Sequence, residues 1–583
     1  MKKVRWVCYC LLAFATAQAQ YYLRGEVKNE RGQSLQGAKI NLSSKGSFPY
    51  YSGSSGTFGI SVSKITDTIR ISRDGYEDLV VLIDTRRFQS LVMKMLSTTA
   101  HLYNRKLASL TTNLRRQKAN SFSVPGESYS NLVENDFIEA DKYPETGFAL
   151  NINKASYSNI RRFLGNEMYV PVDAVRIEEM LNYFDFTQAA APKQQDYFNC
   201  RSQLTSCPWE EKNQLLFLHV TAPKLALDSI PPSNLVFLID ISGSMDKPNR
   251  LPLLQAAFTL LTDNLREKDT ITIVTYGGGV GIALPPTSGA QKKKIREAID
   301  SLVASGDTPG EGAIRIAYEL ARRSFIKKGN NRVILATDGD FNIGQTSEAA
   351  LEDMITGYKQ TGIYLTCLGV GMGNYKDSKL EALAKKGNGN FAYLDNLQEA
   401  QKTLVTEFTQ TLYAVANNAF LKIGFLPNTI RQYRLIGFDN KLNAAEDSTS
   451  ELEGGEIGSG HSLMAIFEIV PGKHTPVAPL LANAYIQYRL PGSDSTRKQN
   501  FPVRQQVQPI AAADSVYRFA AAVAMFGSIL KKSVYTGNYL PEDVLALAQT
   551  AVNLQHPQQA ELLTLIEKAI KIYRPGKRKK NDK

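Results

Sequence analysis

Leu235-Val-Phe-Leu-Ile-Asp-Ile-Ser-Gly-Ser244 decides the fold of this chain of 583 residues. The unbroken apolar run Leu235–Ile239 reads as a strand covered on both faces, the pattern of a parallel sheet between helix layers. Immediately after it, Asp240, Ser242 and Ser244 place side-chain oxygens at i, i+2 and i+4 on the turn leaving the strand. Three such oxygens can converge on one point, and a hard divalent cation is what hard oxygen donors hold. Two later stretches can complete the set. Thr308 stands in Ser305-Gly-Asp-Thr-Pro-Gly-Glu311, and Asp338 ends a second apolar run in Val333-Ile-Leu-Ala-Thr-Asp-Gly-Asp340. The bland alternative is that these residues only cap strand ends and shape turns.

Asp-x-Ser-x-Ser, then a threonine in a glycine-containing loop, then Thr-Asp-Gly after another strand, together resemble the metal-ion-dependent adhesion site of von Willebrand factor A (VWA) domains. The resemblance implies a metal site of Asp240, Ser242, Ser244, Thr308 and Asp338. The serines and threonine give neutral oxygens, and the two aspartates reach the ion directly or through water. Magnesium is the expected ion, with manganese or calcium as alternates. Few direct carboxylates leave such an ion electron-poor, so it takes an Asp or Glu carboxylate from a protein partner. Asp246, Asp307 and Asp340 flank the site, either supporting it or as solvated loop charges. Gly243 and Gly339 suit tight turns.

Around this centre, strands and helices alternate from 233 to 413, which predicts an α/β doubly wound, Rossmann-like domain with its ligand site at the carboxyl ends of the strands. Expected elements are a helix with Leu251, Leu254, Phe258, Leu261 and Leu265 on one face, strand 270–275, helices near 290–303 and 311–327, strand 332–337, helix 347–360, strand 363–369 and a last helix near 396–412.

The flanks differ in texture. Residues 1–19 carry Lys2, Lys3 and Arg5 ahead of an apolar stretch and the small-residue pair Ala17 and Ala19, as a cleaved signal peptide does. No later stretch is long and apolar enough to span a bilayer, so an exported chain without an integral span is expected. It would be periplasmic, outer-membrane-associated or secreted. Residues 20–96 read as short strands with period-two alternation, a small β-sandwich. Gly25-x-Val27, Gly56-x-Phe58 and Gly75-Tyr76 there resemble carboxypeptidase regulatory-like domains. Residues 97–140 are polar and read as a linker. Residues 141–232 turn helical, with Ile177, Met180, Leu181 and Phe184 on one face. Residues 414–573 carry strands near 420–425, 433–438, 463–469 and 484–488, then helices at 515–526 and 541–573. Ala155-Ser-Tyr157, Arg161-Arg-Phe163, Arg434-Leu-Ile-Gly437 and Phe519-Ala-Ala-Ala-Val-Ala-Met-Phe526 resemble bacterial YfbK-type proteins over residues 145–573. Asn151 and Asn153 stand where that family tends to be acidic. Leu215-Leu-Phe-Leu-His-Val220 precedes the α/β domain with no helix to join it to that sheet. It is expected to pair instead with strands beyond residue 418, in a sandwich into which the α/β domain is inserted.

Composition excludes little more. The formal charge is +12, falling to +9 once Lys2, Lys3 and Arg5 leave with the signal, and much of the remainder sits in the basic tail 574–583. That tail reads as solvated, and with no interleaved aromatics and an exported chain, nucleic acid is not an expected partner. Cys200 and Cys207 would face an oxidising compartment, and spacing leaves their bridging open. No Gly-x-Ser-x-Gly, His-Glu-x-x-His or Walker A sequence is present, and all five histidines fall outside 233–413. An enzyme is not expected. Two functions remain: an exported protein whose metal site binds an acidic side chain of a partner, in adhesion or envelope assembly, or a self-contained envelope scaffold in which an internal carboxylate, such as one from Glu446–Glu456, occupies the metal.

Overall fold

The computed structural model describes residues 21–94, 127–129, 134–186, 197–225, 230–306, 310–339, 348–407, 413–438, 454–472 and 480–573, apart from short breaks at 31, 47–48, 54, 74–75, 374, 427–428 and 494. Thr308, Asp307, Asp340, the leader, most of the 97–140 stretch and the basic tail lie outside them.

The central sheet contains β1 (Ser233–Asp240), β2 (Thr270–Tyr276), β3 (Gly281–Ser288), β4 (Asn330–Thr337), β5 (Ile363–Val370) and β6 (Phe391–Leu394). Their order is β3-β2-β1-β4-β5-β6, parallel except for β3. Every residue of β1 is buried because both faces are covered. Phe237 and Ile239 pack with α1 (Leu251–Asn264) and α2 (Lys292–Asp300) through Leu254, Phe258 and Ile295. Val236 and Leu238 point the other way, among Ile314 and Tyr318 of α3 (Glu311–Arg323), Ile355 of α4 (Glu348–Gln360) and Leu380 of α5 (Asp377–Lys386). The sheet is therefore doubly wound, as expected. Sequence reading passed over β3, α5 and β6. β3 holds Pro285 and Pro286, which only an edge strand tolerates, and it follows three consecutive glycines.

Two further layers flank this domain. Gln214–Thr221 pairs with Ser462–Pro471 along its whole length, joining strands before and after the α/β domain as the apolar pattern suggested. That sheet continues on one side through Asn199–Ser206 and on the other through Ile430–Ile436 to Ile138–Glu139 at its edge. A second sheet, built on Ala414–Phe425, Leu480–Arg489 and Thr496–Arg504, packs against it through Leu216, Leu218, Leu421, Ile423, Phe467 and Ile486. On the other face of the first sheet, helix Ala155–Gly165 and helix Ile177–Asn182 share a core with Ser515–Lys531, Pro541–Gln549 and Pro557–Tyr573. Ile177, Met180, Leu181 and Phe184 are all buried there. The helices expected over 541–573 are Pro541–Gln549 and Pro557–Tyr573, each opening on a proline, which starts a helix well.

Cys200 and Cys207 lie at opposite ends of Asn199–Ser206, roughly 23 Å apart at 3.3 Å per residue, so they cannot bridge each other. The N-terminal unit, taken by itself, is a β-sandwich of a three-stranded and a four-stranded sheet around Leu23, Val27, Ile40, Ile69 and Ile83. No helix among the described residues is long and apolar enough to cross a membrane.

Candidate functional site

The strand order reverses direction between β1 and β4, where chain crossovers leave in opposite senses and open a crevice at the carboxyl ends. Asp240 ends β1, and Asp338 directly follows its neighbour β4. Ser242 Oγ lies 3.2 Å from Ser244 Oγ, which donates to Asp338 Oδ2 at 2.9 Å. The structure thus brings four of the five predicted residues to one crevice; Thr308 lies outside the described residues.

Asp240 is held deeper than the serines. Its Oδ1 accepts the Ser242 backbone N–H at 2.9 Å, and its Oδ2 accepts the hydroxyls of Thr337 at 2.8 Å and Tyr276 at 3.1 Å. Burial pushes this carboxyl above its ordinary range; the Ser242 and Thr337 hydrogen bonds oppose the rise and nearby Asp338 adds to it. Two acids crowded at low solvent exposure are stabilised by a cation.

Bare backbone lets the loops close on one another. Ser305 N–H donates to Ile241 O at 2.6 Å and Gly243 N–H to Gly306 O at 2.9 Å, which knits the loop leading to Thr308 onto the Asp240–Ser244 turn. Gly306 has φ +76°, and a Cβ there would stand 2.3 Å from Gly278 Cα. A Cβ on Gly277 would stand 2.5 Å from Ser242 N and one on Gly278 2.9 Å from Ser305 Oγ, so both glycines serve close packing.

Sequence reading missed Arg250. It is buried just ahead of α1 and donates from Nη1 to Asp338 Oδ2 at 2.6 Å and to Ser244 O at 2.6 Å, and from Nη2 to Met372 O at 2.9 Å. A cation at a helix N-terminus opposes the helix dipole, which was the available signal that this arginine answers to a buried acid. Other residues of the flanking layers have structural places. Asn153 Oδ1 accepts Phe391 N–H at 3.1 Å, and the Asn151 side chain fills the space a Cβ on Gly455 would need. His461 sits in the turn before Ser462–Pro471, its backbone carbonyl bound by Ala222 N–H at 2.8 Å. Glu456 pairs with Arg332 at 2.7 Å, near the start of β4 and roughly 20 Å from Asp338 at the other end of that strand.

The comparisons agree with this architecture. Residues 234–407 match the von Willebrand factor type A domain, residues 123–217 a family described as von Willebrand factor, and residues 410–572 one described as uncharacterized protein YfbK, C-terminal. Fold and domain match together define a VWA-domain protein. The chain is 36% identical over 481 residues to uncharacterized protein YfbK of Escherichia coli (strain K12), spanning 78% of this chain and 83% of that one. It therefore belongs to the YfbK family. It is also 23% identical to uncharacterized protein sll0103 of Synechocystis, across 54% of this chain and 74% of that protein. Among solved structures it is similar to a von Willebrand factor type A protein from Catenulispora acidiphila, at 15% identity, 60% of this chain, 89% of that chain and a TM-score of 0.36.

Proposed function

We propose that the crevice between β1 and β4 holds a divalent cation, magnesium or else manganese or calcium, through Ser242, Ser244 and Thr308 with Asp240 and Asp338 directly or through water, and that the ion captures an Asp or Glu side chain of a partner protein. The observation that carries this reading is the oxygen chain of Ser242, Ser244 and Asp338. Its separations of 3.2 and 2.9 Å resemble the edge of a magnesium octahedron, about 3 Å for bonds of about 2.1 Å. The backbone hydrogen bonds that tie Ser305 and Gly306 to the Asp240–Ser244 turn support it, since Thr308 follows Gly306 by two residues in the sequence. When bound, the ion supplies an electron-poor position for a carboxylate; the chain's own residues fix its place and exclude bulk water from Asp240. In this reading the protein is an exported, non-enzymatic binder in adhesion or envelope assembly, and the leader-like residues 1–19 support the export.

The alternative of an internal carboxylate loses one candidate, since Glu456 is committed to Arg332 at the far end of the strand. The test is a calorimetric titration of manganese into the full chain and into Asp240→Ala and Asp338→Asn, followed by capture of acidic partners with and without chelator. Uptake by the parent and loss in the variants supports the reading; uptake unchanged by both substitutions overturns it.

A further inference from the structure

Three loops of the crevice meet on the Arg250 guanidinium. It reaches Asp338 and the Ser244 carbonyl after β1, and the Met372 carbonyl after β5. Gly371 (φ +79°) makes room for it, since a Cβ there would stand 2.5 Å from Arg250 Nε. The hydrogen-bonded set therefore contains two carboxylates, Asp240 and Asp338, and one permanent cation, a net charge of −1. A divalent ion converts that to +1, and one incoming carboxylate brings it to zero. Without the arginine the same set would be neutral once the ion is bound, and a carboxylate would leave it negative.

We infer that Arg250 is a positioning residue that sets the selectivity of the cation site: it holds Asp338 by the oxygen nearest Ser244, weakens the grip on the ion, and keeps the loaded site positive so that an acidic ligand completes it. This rests on the reading of the crevice as a cation site. A divalent and a monovalent cation about 6 Å apart repel by the equivalent of about tenfold in affinity even at the dielectric constant of water, and by more inside a protein.

The experiment is a titration of manganese chloride, by calorimetry and by the paramagnetic signal of free manganese, into the full chain and into Arg250→Gln, Arg250→Lys and Arg250→Gln/Asp338→Asn. Arg250→Gln is expected to bind manganese about tenfold more tightly or better, and to lose the extra protection against melting that acetate gives the manganese-loaded parent. The double variant loses the Asp338 carboxylate as well and is expected to bind manganese more weakly than Arg250→Gln. Parent binding with no gain in a folded Arg250→Gln overturns the role of Arg250 and leaves the cation site standing. No uptake by any variant, each melting cooperatively, overturns both. If Arg250→Gln does not fold, Arg250→Lys decides: it keeps the charge, so its affinity must stay within about threefold of the parent, and a tenfold change contradicts the inference.

Discussion

Thr337 Oγ1 donates to Asp240 Oδ2 at 2.8 Å, joining the last residue of β4 to the last residue of β1. The bond holds the Asp240 carboxylate at the strand ends and leaves the serine hydroxyls beyond it facing the crevice. Thr337→Val keeps shape and β-propensity but removes the donor. The expected cost is about 1–2 kcal/mol in urea unfolding, with weaker manganese uptake.

Gly306 answers to backbone crowding. Gly306→Ala must relieve a Cβ 2.3 Å from Gly278 Cα at φ +76°, so the loop that precedes Thr308 shifts away from Gly243. A loss of about 1–3 kcal/mol and reduced cation affinity are expected. Gly165→Ala, where nothing lies within 4 Å, is the control and should leave both unchanged.

Acid should destabilise the protein through His219 and His461. Burial, with Arg201 near the first and Lys154 near the second, pushes both imidazoles down from 6.5 to about 4. Between those values the unfolded chain binds protons that the folded chain refuses. The stability these residues preserve at neutral pH is thus lost as pH falls from about 6.5 to about 4, by about 2–3 kcal/mol apiece. His219→Gln/His461→Gln should flatten the melting temperature across that window; an unchanged slope would refute the assignment.

The helical segment before the α/β domain docks on it through buried charge. Arg176 bonds Glu179 at 2.7 Å and Asp377, the first residue of α5, also at 2.7 Å. Asp377→Asn leaves the guanidinium undercompensated in the interior, and about 3–5 kcal/mol should be lost in chemical unfolding. A loss below 1 kcal/mol would mean that this pair does not hold the two segments together.

The legible parts of this chain were those in which one physical requirement dominates. Leu235–Ile239 announced a two-sided strand because both faces are covered, and the match of Gln214–Thr221 to Ser462–Pro471 followed from an apolar strand with no helical partner. Asp240, Ser242, Ser244 and Asp338, which meet in one crevice, could be grouped in advance because strand ends and turn spacing are visible in the sequence. What escaped depends on closeness in space. Arg250 stands 88 residues from Asp338, and nothing local marks it except its awkward place ahead of a helix. Gly277 and Gly306 looked like ordinary loop glycines until their backbones were seen to touch. β3 was hidden by its prolines.

The most direct test of the central claim is a magnesium titration of the full chain beside Asp240→Ala, followed by calorimetry. One ion bound per chain, and none in the variant while it still melts cooperatively, is the result expected of a site at the ends of β1 and β4. Equal uptake by both proteins, or none by the parent, would contradict it.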